Sequence, residues 1–96
     1  MENTTLGDQA KIDQIKRLLE QASPNGTVCT VRKWHDWMQY EVVCGANKSV
    51  LCVSFEFIGL DETEIAKRFE RAGVARTIQK SPNESFILMR SGLQQR

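Results

Sequence analysis

The chain has 96 residues, which is enough for one domain with a two-layer core and too few for a second domain. Apolar residues make up 41% of it and charged residues 26%, so the composition excludes a disordered or fibrous protein. The net charge is +1 and the sequence pI is about 7.7, below the value of about 9 that is typical of nucleic-acid-binding domains.

The sequence also argues against a membrane or secreted protein. No apolar run approaches the roughly 20 residues that span a bilayer, and the first residues lack a basic start followed by an apolar stretch. We therefore expect a single cytoplasmic domain over residues 1–96, with frayed tails at 1–8 and 91–96. Cys29, Cys44 and Cys52 form an odd set without C-x-x-C spacing, which indicates reduced thiols and neither a disulfide framework nor a zinc site.

The first predicted element is an amphipathic helix over residues 10–22. Its apolar residues Ile12, Ile15 and Leu19 recur at three- and four-residue spacing, and Asp8 precedes it as a predicted N-cap. A turn over 23–26, Ser-Pro-Asn-Gly, ends the helix.

Three strands are predicted next, over 28–34, 37–44 and 50–57, because apolar and polar residues alternate there and β-branched residues are frequent. The connections are a two-residue turn at His35 and Asp36 and a four-residue loop over 45–48. Because His-Asp is a poorer primed-turn pair than Asn-Gly, a longer first loop that includes both tryptophans is the alternative. The stretch that follows begins with Asp61 and has Glu64 three positions later, which predicts a capped second helix that ends at Gly73.

The remaining chain is predicted to form a hairpin. Strands over 74–79 and 85–90 flank Ser-Pro-Asn-Glu, a turn signal with proline at its second position. The predicted order is thus α-β-β-β-α-β-β, an α+β two-layer sandwich with an antiparallel sheet and both helices on one face.

The two predicted turns agree on which side of the sheet is apolar. A tight turn at His35 and Asp36 places Trp34 opposite Trp37, and the four-residue loop places Val42 opposite Leu51, Tyr40 opposite Val53 and Met38 opposite Phe55. A slip by one residue would invert every side chain, so this agreement supports the register. The expected core face carries these residues: Cys29, Val31, Met38, Tyr40, Val42, Cys44, Leu51, Val53, Phe55 and Phe57.

The other face of the predicted sheet is too apolar for a surface that only meets water. Trp34 and Trp37 lie on it beside Arg32, and aromatic residues next to an arginine are typical of protein interfaces. The candidate partner-binding residues are Trp34, Trp37, Arg32, Val28, Val43 and Val50. The alternative explanations are a C-terminal hairpin or tail that folds over this face, or one tryptophan that closes the end of the core.

The sequence gives little support for catalytic activity or for metal binding. His35 is the only histidine, and the predicted register places Cys52 more than about 10 Å from it, too far for a Cys-His nucleophile pair. His35 and Asp36 supply at most two adjacent metal ligands, and no glycine-rich phosphate loop is present. We expect no enzyme activity, no cofactor and no small-molecule substrate.

The order of helix, three strands and helix over residues 10–73 resembles that of the double-stranded RNA-binding domain and of the small Alu-RNA-binding subunits of the signal recognition particle. The resemblance implies an RNA-binding fold. The second helix departs from the first family, because it starts with acidic residues where that family carries its lysine cluster, and Glu41 and Glu56 on the tryptophan face would repel phosphate.

The stretch TEIAKRFERAGVARTIQK resembles a DNA-reading helix-turn-helix, with Ala66 in the first helix and Gly73 at the turn. Its glycine follows the alanine by two helical turns, whereas the usual motif has one. The C-terminal third is basic, and the nucleic-acid-binding alternative assigns the contacts to Lys67, Arg68, Arg71, Arg76 and Lys80.

These observations favour a small non-enzymatic protein-binding module, a regulator or inhibitor that uses the tryptophan face or a sheet edge to bind a larger protein or a second copy of itself. Regulatory subunits and phage-encoded inhibitors of bacterial defence complexes are similar in size and element order. Nucleic-acid binding is the alternative.

Overall fold

The computed structural model describes residues 6–23 and 26–95 and shows an α+β fold with a five-stranded sheet. Its elements, in chain order, are α1 Leu6–Gln21, β1 Val28–Trp34, β2 Trp37–Cys44, β3 Asn47–Ser54, a 3-10 helix Phe55–Gly59, α2 Glu62–Ala72, α3 Val74–Lys80, β4 Ser85–Met89 and β5 Gly92–Gln95. Within the described residues, no helix has the length and apolar content needed to cross a bilayer.

Helix α1 confirms the predicted amphipathic helix but starts earlier. It begins at Leu6, so the backbone of Asp8 is already helical and the N-cap predicted there is wrong. Ile15 and Leu19 are buried against the sheet, as their spacing predicts. The Tyr40 hydroxyl donates a hydrogen bond to the Ile12 carbonyl at 3.0 Å and so links α1 to β2. Pro24 and Asn25 of the turn predicted at 23–26 lie outside the described residues.

The first hairpin has the predicted register. Trp34 is opposite Trp37 and Val28 is opposite Val43, with His35 and Asp36 as the two-residue turn. His35 has a φ of 56°, the positive value that primed hairpin turns need at their first central position. The Phe55 amide donates to the Asp36 carbonyl at 2.9 Å and holds this turn against the chain that follows β3.

The second hairpin is tighter than predicted. Its loop is two residues, Gly45 and Ala46, so Cys44 is opposite Asn47 and every predicted pair between β2 and β3 is shifted by two: Val42 is opposite Ser49, Tyr40 opposite Leu51, and Met38 opposite Val53. A shift by two keeps each side chain on its face, so the predicted core face is correct although the pairs are wrong. The strand predicted over 50–57 ends at Ser54 and continues as the 3-10 helix.

Helix α2 confirms its predicted caps. The Asp61 carboxylate accepts a hydrogen bond from the Glu64 amide at 2.8 Å, and Gly73 ends the helix with a left-handed φ of 65°.

The C-terminal third corrects the predicted hairpin. Residues 74–80 form helix α3 instead of a strand, because Val74 and Ile78 are four residues apart and this spacing satisfies a helix as well as an alternating strand. Residues 92–95, predicted as part of a frayed tail, form β5 and pair antiparallel with β4.

The sheet is mixed and not purely antiparallel. Its spatial order is β1-β2-β3-β4-β5, and β4 runs parallel to β3, with Val50 opposite Ser85 and Val53 opposite Leu88. Parallel neighbours need a crossover connection, and α2 with α3 supplies it.

A single core lies on one face of the sheet. The buried residues of all three helices belong to it together with inward-facing strand residues such as Leu51, Val53, Phe86 and Leu88. Every residue of the predicted core face is buried or half-buried. The described helices thus cover one side of the sheet and leave the other open.

Candidate functional site

The open side of the sheet is the candidate site, and we call it the outer face. Side chains alternate between the two faces of a strand, so the register assigns it directly. It carries these residues of β1 to β4: Val28, Thr30, Arg32, Trp34, Trp37, Gln39, Glu41, Val43, Lys48, Val50, Cys52, Ser54, Ser85, Ile87 and Met89.

The two tryptophans lie opposite each other at one end of the outer face. Trp34 is 55% exposed, whereas Trp37 is half-buried. The ring of Trp34 also contacts that of His35, with centroids 5.0 Å apart. The edge strand therefore presents a large apolar side chain to solvent at the rim of the sheet.

A cavity of about 210 Å³ lies beside the two indoles. It is lined by Trp34, Trp37, Gln39, Cys52 and Ile87. Gln39, Cys52 and Ile87 are consecutive partners across β2, β3 and β4, so they form one row under the tryptophans. Cys52 is only 9% exposed and belongs to the wall of the cavity.

Sequence reasoning missed Ile87. The alternation within residues 85–90 places Ser85, Ile87 and Met89 on one side of a strand, but only the parallel pairing of β4 with β3 brings that side next to Cys52. The outer face is therefore wider and more apolar than the first three strands alone predict.

The predicted partner-binding residues divide into two groups. Trp34, Trp37 and Arg32 lie together near the hairpin turn, and Arg32 is exposed opposite Gln39. Val28 and Val43 are opposite each other at the far end of the strands, about 20 Å away at 3.3 Å per residue.

The far end carries both apolar and charged side chains, and Val28 is 57% exposed there. Val50 is half-buried opposite Glu41, and the Glu41 carboxylate lies 3.6 Å from the Lys48 ammonium group. Exposed pairs of this kind contribute little, roughly 0 to 1 kcal/mol. The tryptophan end therefore differs from the far end by its large aromatic side chains and its cavity.

The five basic residues predicted for nucleic-acid binding do not share one site. Arg68 and Arg71 line a cleft of about 160 Å³, which we call the arginine cleft, together with a residue the sequence did not single out, Arg90. Lys67, Arg76 and Lys80 are exposed on α2 and α3 and do not line it.

Helices α2 and α3 follow each other directly. Only Gly73 separates them, whereas the helix-turn-helix motif has a turn of three or four residues. This stretch thus forms two consecutive helices, as the motif requires, but the connection between them is shorter than the turn of the motif.

Cys52 is nearer to the hairpin turn than the sequence suggested. The observed register puts it two residues from the position opposite Trp37, about 7 Å along the strand, where the sequence predicted four residues. Among the hydrogen bonds of the described residues, none joins His35 to Cys52, and Cys52 is enclosed by the cavity wall.

Cys29 lies in the core. Burial, with a smaller contribution from Glu20, raises the pKa of its thiol to about 11. A thiol with this pKa stays protonated at neutral pH and is a poor nucleophile. Burial likewise raises the pKa of the Tyr40 hydroxyl.

Across residues 6–23 and 26–95, no three His, Cys, Asp or Glu side chains gather at metal-binding spacing.

This chain matches no model of a known protein family, no curated protein and no solved structure. Its function is therefore inferred from the geometry of the outer face and of the arginine cleft.

Proposed function

We propose that this chain is a small non-enzymatic binding module of the cytoplasm that docks a protein partner, either a larger protein that it regulates or inhibits or a second copy of itself, onto the tryptophan end of the outer face. One observation carries the proposal. Two facing tryptophans and an apolar cavity lie on the side of the sheet that the described helices leave open.

The energetics of Trp34 support a partner. A tryptophan can bury roughly 200 Å². Trp34 is 55% exposed. A partner that covered this exposed part would contribute about 2–3 kcal/mol, at about 25 cal/mol per Å². Tryptophans in such positions are frequent hot spots of protein interfaces, particularly where neighbouring contacts exclude water.

The size of the cavity favours a protein side chain over a free small molecule. Pockets for drug-sized ligands are usually larger, about 300–1,000 Å³, whereas this one has about 210 Å³. A single apolar side chain of a partner fits a cavity of this scale. Gln39 in its wall offers both a donor and an acceptor to orient that side chain.

The edge of the sheet adds a second means of contact. β1 is an edge strand, so one side of its backbone has no neighbouring strand among the described residues. Partners often add a strand at such an edge and place side chains in adjacent pockets. Trp34 belongs to this strand, so a partner strand that pairs with the β1 edge would lie close to the Trp34 side chain on the outer face.

The test is capture of partners from native extract by the wild-type chain and by a Trp34→Ala, Trp37→Ala double variant. We expect the double variant to lose the captured protein while its helicity is kept, and its free energy of unfolding should fall by about 3 kcal/mol because Trp37 is half-buried. Chemical cross-links from the captured protein should map to the outer face, and sedimentation should reveal a second copy if that is the partner.

A Lys67→Ala, Lys80→Ala double variant is the matched control, because it changes two exposed residues of α2 and α3 and should keep the partner. Unfolding of the tryptophan double variant would show that the indoles are core residues, and the Trp34→Ala single variant then carries the test. Capture that survives in the tryptophan variants, or that disappears after nuclease treatment, would contradict the proposal and favour nucleic-acid binding instead.

A further inference from the structure

The arginine cleft is lined by three arginine residues from two separate elements. Arg68 and Arg71 come from α2, and Arg90 comes from the turn between β4 and β5. The cleft also includes Met89 of β4, Ser91 of that turn and Gly92 of β5. Its basic character is therefore a result of tertiary packing, since Arg90 is 19 residues or more from the other two in the sequence.

Only one of the three guanidinium groups is engaged within the described chain. Arg68 Nε lies 2.9 Å from Glu64 Oε2, and Arg68 Nη1 donates to the Arg90 carbonyl at 3.3 Å. Among the described residues, no acidic side chain pairs with Arg71 or Arg90. Arg71 gains some stabilisation from the C-terminal end of α2, but that does not explain why Arg90 is placed beside it.

An arrangement of this kind suits an oxyanion. Positive charges gathered at one cleft repel each other, and an anion bound between them is attracted to all of them. Guanidinium groups bind carboxylate and phosphate through paired, charge-assisted hydrogen bonds. The cleft has about 160 Å³, space for one such group.

The cleft lies on the helix side of the sheet, where α2 and the buried Leu88 line it, and it reaches the outer face at the end of β4 through Met89. Met89 lines the cleft and is 39% exposed, and Ile87, two residues earlier on the same side of β4, lines the tryptophan cavity. Because Trp37 is opposite Ser54 and Leu88 is opposite Val53, Met89 and Trp37 are separated by two strand spacings, about 10 Å. A short peptide segment spans that distance.

We propose that Arg68, Arg71 and Arg90 form a binding site for a single oxyanion, and that this oxyanion is a carboxylate on an acidic segment of the protein that docks on the outer face. The identity of the partner rests on the proposed function. A nucleic-acid strand is a poorer fit, because it needs a continuous basic track, and Lys67, Arg76 and Lys80 do not extend the cleft.

The test is a titration of the ¹⁵N-labelled full chain at low salt with three probes: a hexaglutamate peptide, inorganic phosphate and a hexathymidylate strand. We expect saturable shifts of the Arg68 Nε signal and of the Ser91 and Gly92 amides, with hexaglutamate binding at least as tightly as hexathymidylate. An Arg71→Ala, Arg90→Ala double variant should weaken hexaglutamate binding about tenfold or more.

An Arg76→Ala, Lys80→Ala double variant is the control, because it removes the same charge from exposed positions outside the cleft and should bind hexaglutamate within about twofold of wild type. Three results would overturn the proposal: no saturable shift, equal weakening in both double variants, or tighter binding of hexathymidylate than of hexaglutamate. The last would identify a nucleic-acid surface.

The probe separates this inference from the proposed function. Hexaglutamate has no large apolar side chain, so its binding should be unchanged in the Trp34→Ala, Trp37→Ala variant. If the tryptophans bind no partner, the titration can still be interpreted. If the titration shows no binding, the proposed docking at the tryptophans is unaffected.

Discussion

Trp34 and Trp37 show how two identical side chains differ once the sheet is formed. Both were expected on the outer face, and both are there, but β1 is an edge strand and β2 is not, so Trp34 is exposed and Trp37 is half-buried. Their alternation along the chain was sufficient to assign the face. Ile87 and Arg90 were not identified, because their place depends on a strand pairing between residues more than 30 positions apart.

The ionisation of Cys29 supplies a prediction at the level of one residue. Its thiol has a pKa of about 11 in the folded protein, above its ordinary value of 9.0. The unfolded chain therefore loses this proton first, so the stabilisation is complete below pH 9 and is lost as the pH rises to about 11. Urea unfolding from pH 8 to 11 should show a declining free energy of unfolding in the wild-type protein.

A Cys29→Ala variant isolates this contribution. The buried Tyr40 hydroxyl titrates in the same direction at higher pH and remains in the variant, so the informative quantity is the difference between the two profiles. That difference should change between pH 9 and 11, with the variant losing less stability. Parallel profiles would show that the Cys29 thiol ionises alike in the folded and unfolded chains.

At the level of elements, the predictable part of the fold is local. The first hairpin and α2 were predicted with the correct register or caps because His35-Asp36, Asp61 and Gly73 each act on neighbouring residues. The loop of the second hairpin was predicted two residues too long, which left the face correct because side chains alternate with a period of two.

The errors have a common physical cause. In α3, Val74 and Ile78 fit both a helix and a strand, and only packing on the core decides between them. In β5, Leu93 is the one apolar side chain among polar neighbours, so the strand gives almost no local signal and depends on pairing with β4. The parallel pairing of β3 with β4 follows from the first of these changes, because α3 is part of the crossover connection.

The junction between α2 and α3 supplies a prediction at this scale. Gly73 has a φ of 65°, and a Cβ added there would have no neighbour within 4 Å, so the backbone conformation alone opposes a larger residue. Gly73→Ala should lower the free energy of unfolding by about 1–2 kcal/mol in urea denaturation.

Gly59→Ala is the matched control. Its Cβ would also meet nothing within 4 Å, but Gly59 lacks a positive φ, so the free energy of unfolding should be unchanged or slightly higher. Equal destabilisation by the two substitutions would show that the left-handed conformation of Gly73 does not cause the loss in the free energy of unfolding.

At the level of the whole molecule, the described chain places its three helices on one side of a five-stranded sheet and leaves an apolar cavity on the other. The arginine cleft lies on the helix side at the end of β4, and its Met89 is about 10 Å from Trp37 across the sheet. Our proposals therefore predict a single partner that carries both an apolar side chain and an acidic segment.

The most direct test of this account is acrylamide quenching of two single-tryptophan variants, Trp37→Phe and Trp34→Phe, in the isolated monomer and then with the captured partner. Trp34 should be readily quenched in the monomer and Trp37 less so, and both should become protected when the partner binds. Indoles that are both shielded in the monomer, or whose quenching does not change on binding, would contradict the central claim that this face is open and is used for docking.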